Sequence, residues 1–410
     1  MQTIRVSALA PYSAGKTLYL ASMYRQLSLI SRGRSFYLKT DYATSLNLNS
    51  TFNTAKDPKA AWPPASRTSN DYQFTVCIPT PQGEYTPLQF NYLDYPGSLL
   101  TNPAVMDDPK TQEVIDRLRD AHALLVLLDG CGVLASLLNE PAGERFLNFE
   151  LTSTFEFIQQ SQCPVHFAVT KWDLLDGRYT LRQVRNRLLA EESFRNIIDS
   201  RGELSKAPIR LIPTSSVGMG FAEQLPNGQM RKTGSQIRPF QVQLPIISVL
   251  PDFFAYARIE LEGSELLKQA MRLERLARTE DHEQRRARWL NSARSLINLA
   301  AGPAARQALA RRYPALGRLL PENSAELVDN LMLLAESAIR RHDMQAADQR
   351  EQQLTRAAEL KQTVNDDRSA LHLVQAEFDE IVGAFDRTHP ESLLSVDGKL
   401  VEEEPPPGPV

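Results

Sequence analysis

Residues 121–129 read Ala-His-Ala-Leu-Leu-Val-Leu-Leu-Asp, an apolar run without polar alternation, and this stretch constrains the fold most. A half-exposed strand alternates apolar and polar residues, so a continuous run needs cover on both faces, as in a parallel sheet flanked by helices. Val165–Thr170 and Ile209–Pro213 have the same character, and Ile4–Leu9 alternates into a short apolar run. Tyr72–Pro79 and Leu88–Asp94 read as neighbouring strands joined through Pro81–Pro87. Helical spacing fills the intervals at Lys16–Ile30, Thr111–Arg119, Gly143–Gln160 and Thr180–Ser200. This alternation predicts an α/β first domain over residues 1–265, built on a doubly wound, mostly parallel sheet. The stretch from about Asn47 to Asn70, rich in Asn, Thr, Ser and Pro and containing Trp62-Pro63-Pro64, reads as a long functional loop. Phe221–Phe240 reads as an exposed loop or hairpin insertion.

From about Pro251 the strand signals stop, and Ala, Leu, Arg, Glu and Gln dominate. Leu273, Leu276, Trp289, Leu296 and Leu299, then Leu327, Leu331, Leu334 and Ala338, have amphipathic spacing. They predict an all-α bundle or coiled-coil domain over 266–390 that engages a protein partner. Residues 391–410, ending Glu-Glu-Glu-Pro-Pro-Pro-Gly-Pro-Val, are expected to be an unfolded tail. The chain's 410 residues carry 46 Lys+Arg against 49 Asp+Glu, a net charge of −3 that gives no overall pull toward nucleic acid. Arg285-Arg286-Ala287-Arg288 is basic, but Glu280, Asp281 and Glu283 adjoin it, so it reads as a solvated face. Cys77, Cys131 and Cys163 have neither zinc-type spacing nor an even count for a disulfide framework. No run approaches 18 uninterrupted apolar residues, so no transmembrane segment is expected, and the N-terminus lacks signal-peptide character. A cytoplasmic protein is expected.

Four short motifs fall at the ends of predicted strands. Ala10-Pro11-Tyr12-Ser13-Ala14-Gly15-Lys16-Thr17 lies between the first strand and the first helix, with Leu18 following. It fits the phosphate-binding pattern G-x-x-x-x-G-K-[ST], except that Ala10 replaces the first glycine. Backbone N–H groups at a helix N-terminus wrap a phosphate there; Lys16 is expected to reach the β- and γ-phosphates and Thr17 to bind Mg²⁺. Asp94-Tyr95-Pro96-Gly97 fits D-x-x-G, in which the aspartate holds Mg²⁺ through water and the glycine N–H meets the γ-phosphate. Thr170-Lys171-Trp172-Asp173 fits [NT]-K-x-D, in which the carboxylate accepts from guanine N1–H and N2–H₂ and the lysine stem covers the ring. Adenine lacks that donor pair, so the carboxylate is left unpaired and adenine is rejected. Thr214-Ser215-Ser216-Val217-Gly218 occupies the place of a loop whose backbone N–H contacts guanine O6. Each motif alone is cheap, a G-K-[ST] triplet arising by composition in roughly one chain in five of this length. Order and strand-end placement together bring coincidence to the order of one in a thousand.

With these four motifs in order, residues 1–265 resemble a G domain of the P-loop GTPase superfamily. More narrowly, Gly15-Lys16-Thr17-Leu18-Tyr19-Leu20-Ala21-Ser22-Met23-Tyr24 and the Trp62-Pro63-Pro64-Ala65-Ser66…Thr68 loop are similar to bacterial conflict-system double-GTPase proteins. The wider resemblance implies GTP and GDP as bound nucleotides, Mg²⁺, and slow hydrolysis governed by a switch. It also implies a switch threonine on Mg²⁺, for which Thr68 is the candidate ahead of Thr51 and Thr54. Lys16, Thr68 and Gly97 are then the expected catalytic residues, and Thr17, Thr68 and Asp94 the expected metal ligands. Ala10–Leu18, Thr170, Lys171, Asp173, Ser215 and Ser216 are expected to hold the nucleotide. An oligomer with itself or with another GTPase, and a role in bacterial defence or signalling, follow from the narrower resemblance. Ser98 stands where many small GTPases place a water-orienting glutamine, which predicts slow turnover without a partner. Arg67 could supply charge to the transition state but reads first as a solvated loop residue. The alternatives are a GTP-gated scaffold with negligible turnover, a dynamin-like protein and a P-loop ATPase.

Overall fold

The computed structural model describes residues 2–11, 13–29, 34–64, 69–94, 97, 109–161, 163–205, 207–234, 236–251, 268–273 and 324–401, and in α10 its side chains from 351 onward. The chain divides into two compact units, Met1–Glu260 with Asp367–Val410, and Leu261–Asp366. The first contains the sheet. The elements in chain order are β1 (Gln2–Leu9), α1 (Lys16–Leu27), β2 (Tyr37–Lys39), α2 (Tyr42–Lys56), β3 (Asn70–Thr80) and β4 (Gly83–Asp94). Then come α3 (Pro109–Arg119), β5 (Ala123–Leu128), α4 (Gly130–Leu137), α5 (Pro141–Arg145), a π-helical turn (Phe146–Leu151) and α6 (Thr152–Gln160). After β6 (Val165–Val169) follow α7 (Leu181–Leu189), α8 (Glu192–Ser205), β7 (Ile209–Pro213), β8 (Ala222–Gln224), β9 (Met230–Lys232) and α9 (Leu244–Ile247). α10 (Ser324–Thr388), β10 (Leu393–Val396) and β11 (Lys399–Leu400) complete the described chain.

Nine strands form one sheet in the order β11-β10-β7-β6-β5-β1-β4-β3-β2. β4, β1, β5, β6 and β7 are parallel, while β3, β2, β10 and β11 extend the two edges antiparallel. This is the mostly parallel α/β architecture expected, and a helical region follows it. Every residue of β5, β6 and β7 is buried, as their unbroken apolar runs require. Leu124, Val126, Leu128, Phe167 and Val169 pack with Phe155, Phe194 and Ile197 from the helices on one face.

Three expectations are corrected. Asn47–Asn70 is not all loop: α2 runs through its first part, capped by Asp41, whose carboxylate accepts from Thr44 N–H at 2.9 Å. Its polar composition hid a buried face of Leu48, Phe52 and Ala55 at helical spacing. Secondly, the helical region does not end as a separate domain at 390. Leu371, Val374, Phe378, Val382 and Phe385 of α10 are buried within the first unit, where Phe378 meets Phe36 edge-on at 4.7 Å. Asp386 forms a two-point ion pair with Arg210 at 2.8 and 2.9 Å. Thirdly, the chain beyond 391 is not an unfolded tail throughout. β10 pairs antiparallel with β7, and Asp397-Gly398, both at positive φ, turn it into β11. Asp-Gly is the preferred pair for such a two-residue hairpin turn.

Candidate functional site

The carboxyl ends of β1, β4, β5, β6 and β7 converge on one cavity of about 470 Å³, where open α/β sheets place their ligands. At its first edge, the buried Ala10 follows β1 and the chain turns through Ser13 at φ 66° and Gly15 at φ 83°. Gly15 is the N-cap of α1, in the left-handed region that glycine enters without strain. A glycine cap presents no side chain to the first-turn N–H groups, which keeps that helix end open to an anion. Lys16 follows, 8 % exposed, with its pKa lowered to about 8 because burial outweighs the attraction of Asp94. Thr17 Oγ1 donates to Asp94 Oδ2 at 2.9 Å, joining the phosphate-loop pattern to the end of β4. Gly97 is buried and lines the same cavity.

The other end is built from the loops after β6 and β7. Thr170 Oγ1 donates to Ala14 O at 2.9 Å and to Leu128 O at 3.1 Å, fastening this loop to the first. Lys171 sits in the left-handed region at φ 52°, with Nζ 2.8 Å from Asp129 and 3.5 Å from Cys131 Sγ. Burial opposes its charge, yet Asp129 and Cys131 hold the ammonium above its ordinary pKa. The Cys131 thiol is pushed up to about 12, chiefly by burial.

Asp173 carries the feature that singles out this end. Its Oδ1 accepts from Ser215 Oγ at 2.5 Å, while Oδ2 is buried without a hydrogen-bond partner among the described residues. Burial raises the carboxyl's pKa, with the Ser215 bond opposing it. Ser215 Oγ in turn accepts Gly218 N–H at 2.8 Å, and Ser216 O accepts from Ser22 Oγ of α1 at 2.9 Å.

Of the residues predicted from sequence, Ser13, Ala14, Gly15, Lys16, Thr17, Leu18, Gly97, Thr170, Lys171, Asp173 and Ser216 line this single cavity. Asp94 and Ser215 stand behind it as partners of Thr17 and Asp173, and Ala10 and Pro11 support the turn without lining it. Tyr12, Arg67, Thr68 and Ser98 lie outside the described residues. Sequence reasoning missed Asp129, the last residue of the apolar β5 run, where a polar residue ending a buried strand was the available signal. It also missed Gly130, where an added Cβ would stand 2.2 Å from Thr170 O. Trp62, Pro63 and Pro64, and Ala222, Gln224, Gly228 and Met230 of the β8–β9 hairpin, form a further wall. Among the described residues no cluster of three or more His, Cys, Asp or Glu side chains could by itself hold a metal ion. Among the described residues, no helix is long and apolar enough to cross a membrane.

The chain matches no protein-family model and no curated protein. Among solved structures it is similar to a chain of the signal recognition particle receptor SRb-GTP/SRX complex from Chaetomium thermophilum. The two are 18 % identical over 54 % of this chain and 94 % of that one, with a TM-score of 0.30.

Proposed function

We propose that the cavity binds a guanine nucleotide with Mg²⁺ and that the protein hydrolyses GTP to GDP and phosphate as a slow, nucleotide-dependent switch. The observation that carries this reading is Asp173 Oδ2, a buried acceptor without a partner among the described residues, in a side chain that lines the same cavity as Gly15, Lys16 and Thr17. Leaving a carboxylate oxygen desolvated and unpaired costs free energy that a donor-bearing ligand recovers. Guanine presents N1–H and N2–H₂ side by side and meets that demand; adenine presents an acceptor at N1 and does not. The stem of Lys171, whose ammonium pairs with Asp129, is proposed to cover the ring.

At the phosphate end, Lys16 supplies a poorly solvated ammonium. A desolvated charge binds phosphate oxygens more strongly than a hydrated one and favours the charge that builds up as the bond to the terminal phosphoryl group loosens. Thr17 and Asp94 offer hard oxygen donors, which suit a cation that completes its shell with phosphate oxygens and water, as Mg²⁺ does. Thr17 and Asp94 would hold Mg²⁺ there, and it would neutralise phosphate charge. Water attack at the γ-phosphorus would break its bond to the β–γ bridging oxygen and release phosphate, and Ser98 after Gly97 is the reason to expect a low rate. The segment carrying Thr68 is proposed to respond to the terminal phosphate, and the helical region to engage a protein partner.

The test is a titration of nucleotide-stripped protein with fluorescent GDP, ADP and xanthosine diphosphate, with Asp173→Asn beside the wild type. Preference for GDP over ADP, lost in Asp173→Asn by about a hundredfold with a gain for the xanthosine nucleotide, is expected. ADP binding equal to GDP binding, unaffected by Asp173→Asn, would refute the assignment.

A further inference from the structure

One wall of the cavity comes from two segments distant in sequence. One is the chain leaving α2, residues 57–64; the other is the β8–β9 hairpin. A single side chain joins them. Lys232 Nζ donates to Thr54 O at 2.8 Å, Asp57 O at 2.8 Å and Ala60 O at 3.0 Å, taking up carbonyls at and beyond the C-terminus of α2. A helix C-terminus is the negative end of its dipole and favours a cation. The same ammonium lies 4.9 Å from the centre of the Trp62 ring, and Trp62 Nε1 donates to Met230 O at 2.8 Å. Phe221 meets the indole edge-on at 6.1 Å. Trp62, Pro63 and Pro64 are thereby held in the cavity lining beside Gln224, Gly228 and Met230.

We propose that Lys232 is a positioning residue for nucleotide retention, clasping the Trp62–Pro64 segment to the β8–β9 hairpin so that the two close the cavity over the bound nucleotide. This rests on the guanine-nucleotide reading above. Lys232 does not line the cavity. Its effect therefore runs through Trp62, and the quantity it governs is how often the wall opens, hence the rate of nucleotide release rather than the choice of base. Prolines at 63 and 64 stiffen the segment beyond the clasp, so release of Lys232 frees it as a unit.

The experiment measures release of fluorescent GDP, chased with excess GDP, from the full-length chain. Lys232→Met keeps the apolar stem and removes the three donors. It should release GDP about tenfold faster, the change that follows from raising the open fraction of the wall tenfold. Lys232→Arg, which retains donors and charge, should restore slow release. Arg231→Ala, which removes an exposed partner of Glu223 one residue away, should leave release unchanged. The GDP-over-ADP preference should be unaltered in all three. Trp62→Phe, which forfeits the indole N–H, is the second variant and should also accelerate release. Trypsin cleavage at the exposed Lys56 and Lys59 in nucleotide-free protein reads the clasp directly and should quicken in Lys232→Met. Binding by the wild type with release from Lys232→Met within twofold of it overturns this inference alone. A wild type that binds no guanine nucleotide overturns the reading of the site and this inference with it.

Discussion

Lys16 should destabilise the protein that it equips to bind phosphate. Its ammonium is nearly enclosed and its pKa falls from 10.5 to about 8 because burial outweighs the Asp94 charge. A depression of that size corresponds to about 3 kcal/mol of folding free energy lost while the group stays charged. The sign follows from linkage. The unfolded chain binds the proton more tightly, so the cost is full below about pH 8, shrinks as the folded-state lysine deprotonates, and is gone above 10.5. Lys16→Met fills much of the same space without a charge. In nucleotide-free protein it should therefore raise the unfolding free energy at pH 7 by about 2–3 kcal/mol, the polar contacts of Nζ accounting for the shortfall. Urea unfolding of both proteins at pH 7, 9 and 10.5 tests this, and the gap should close across the series. Saturating GTP should reverse the order, since ligand at a thousand times its Kd adds about 4.1 kcal/mol to the wild type and nothing to a variant that does not bind. A Lys16→Met protein no more stable than the wild type at pH 7, or a gap that does not narrow toward pH 10.5, would show that Lys16 is not desolvated as argued.

Two further substitutions probe the frame around the site. Gly130→Ala places a Cβ 2.2 Å from Thr170 O, a backbone atom that cannot swing aside; a loss of about 2–3 kcal/mol is expected on thermal unfolding, with weakened nucleotide binding as Lys171 shifts. Asp386→Ala leaves Arg210 nearly buried without its two-point partner and should cost about 2–4 kcal/mol in urea unfolding, marking the end of α10 as part of the first unit. A neutral outcome at either position would mean that the local packing yields more easily than its distances indicate.

The fold class was legible because its signal is local. β5, β6 and β7 are unbroken apolar runs, and such runs have few ways to be covered except between two layers of helices. The glycine-lysine-threonine turn, Asp94 and the Asp173 loop were legible for a related reason, since each motif lies at a strand end and strand ends share one edge of a parallel sheet. What stayed hidden depends on partners far away in the chain. α2 looked like loop because Asn, Thr and Ser dominate it, and only the core decides that Leu48, Phe52 and Ala55 share a buried face. The end of α10 and the β10–β11 hairpin were hidden because amphipathic spacing states that a face is buried without stating against what.

The alternation of apolar strands with helices, and the order of phosphate-type and base-type motifs along them, are written in the amino-acid order alone. Only the completed fold brings them to one cavity, leaves one Asp173 oxygen without a partner among the described residues, and sets Asp129 against Lys171 and Lys232 against the end of α2. The physical reason is that backbone propensity and hydrophobic periodicity act within a few residues, whereas desolvation and hydrogen-bond pairing of a side chain are set by whatever the completed fold brings against it.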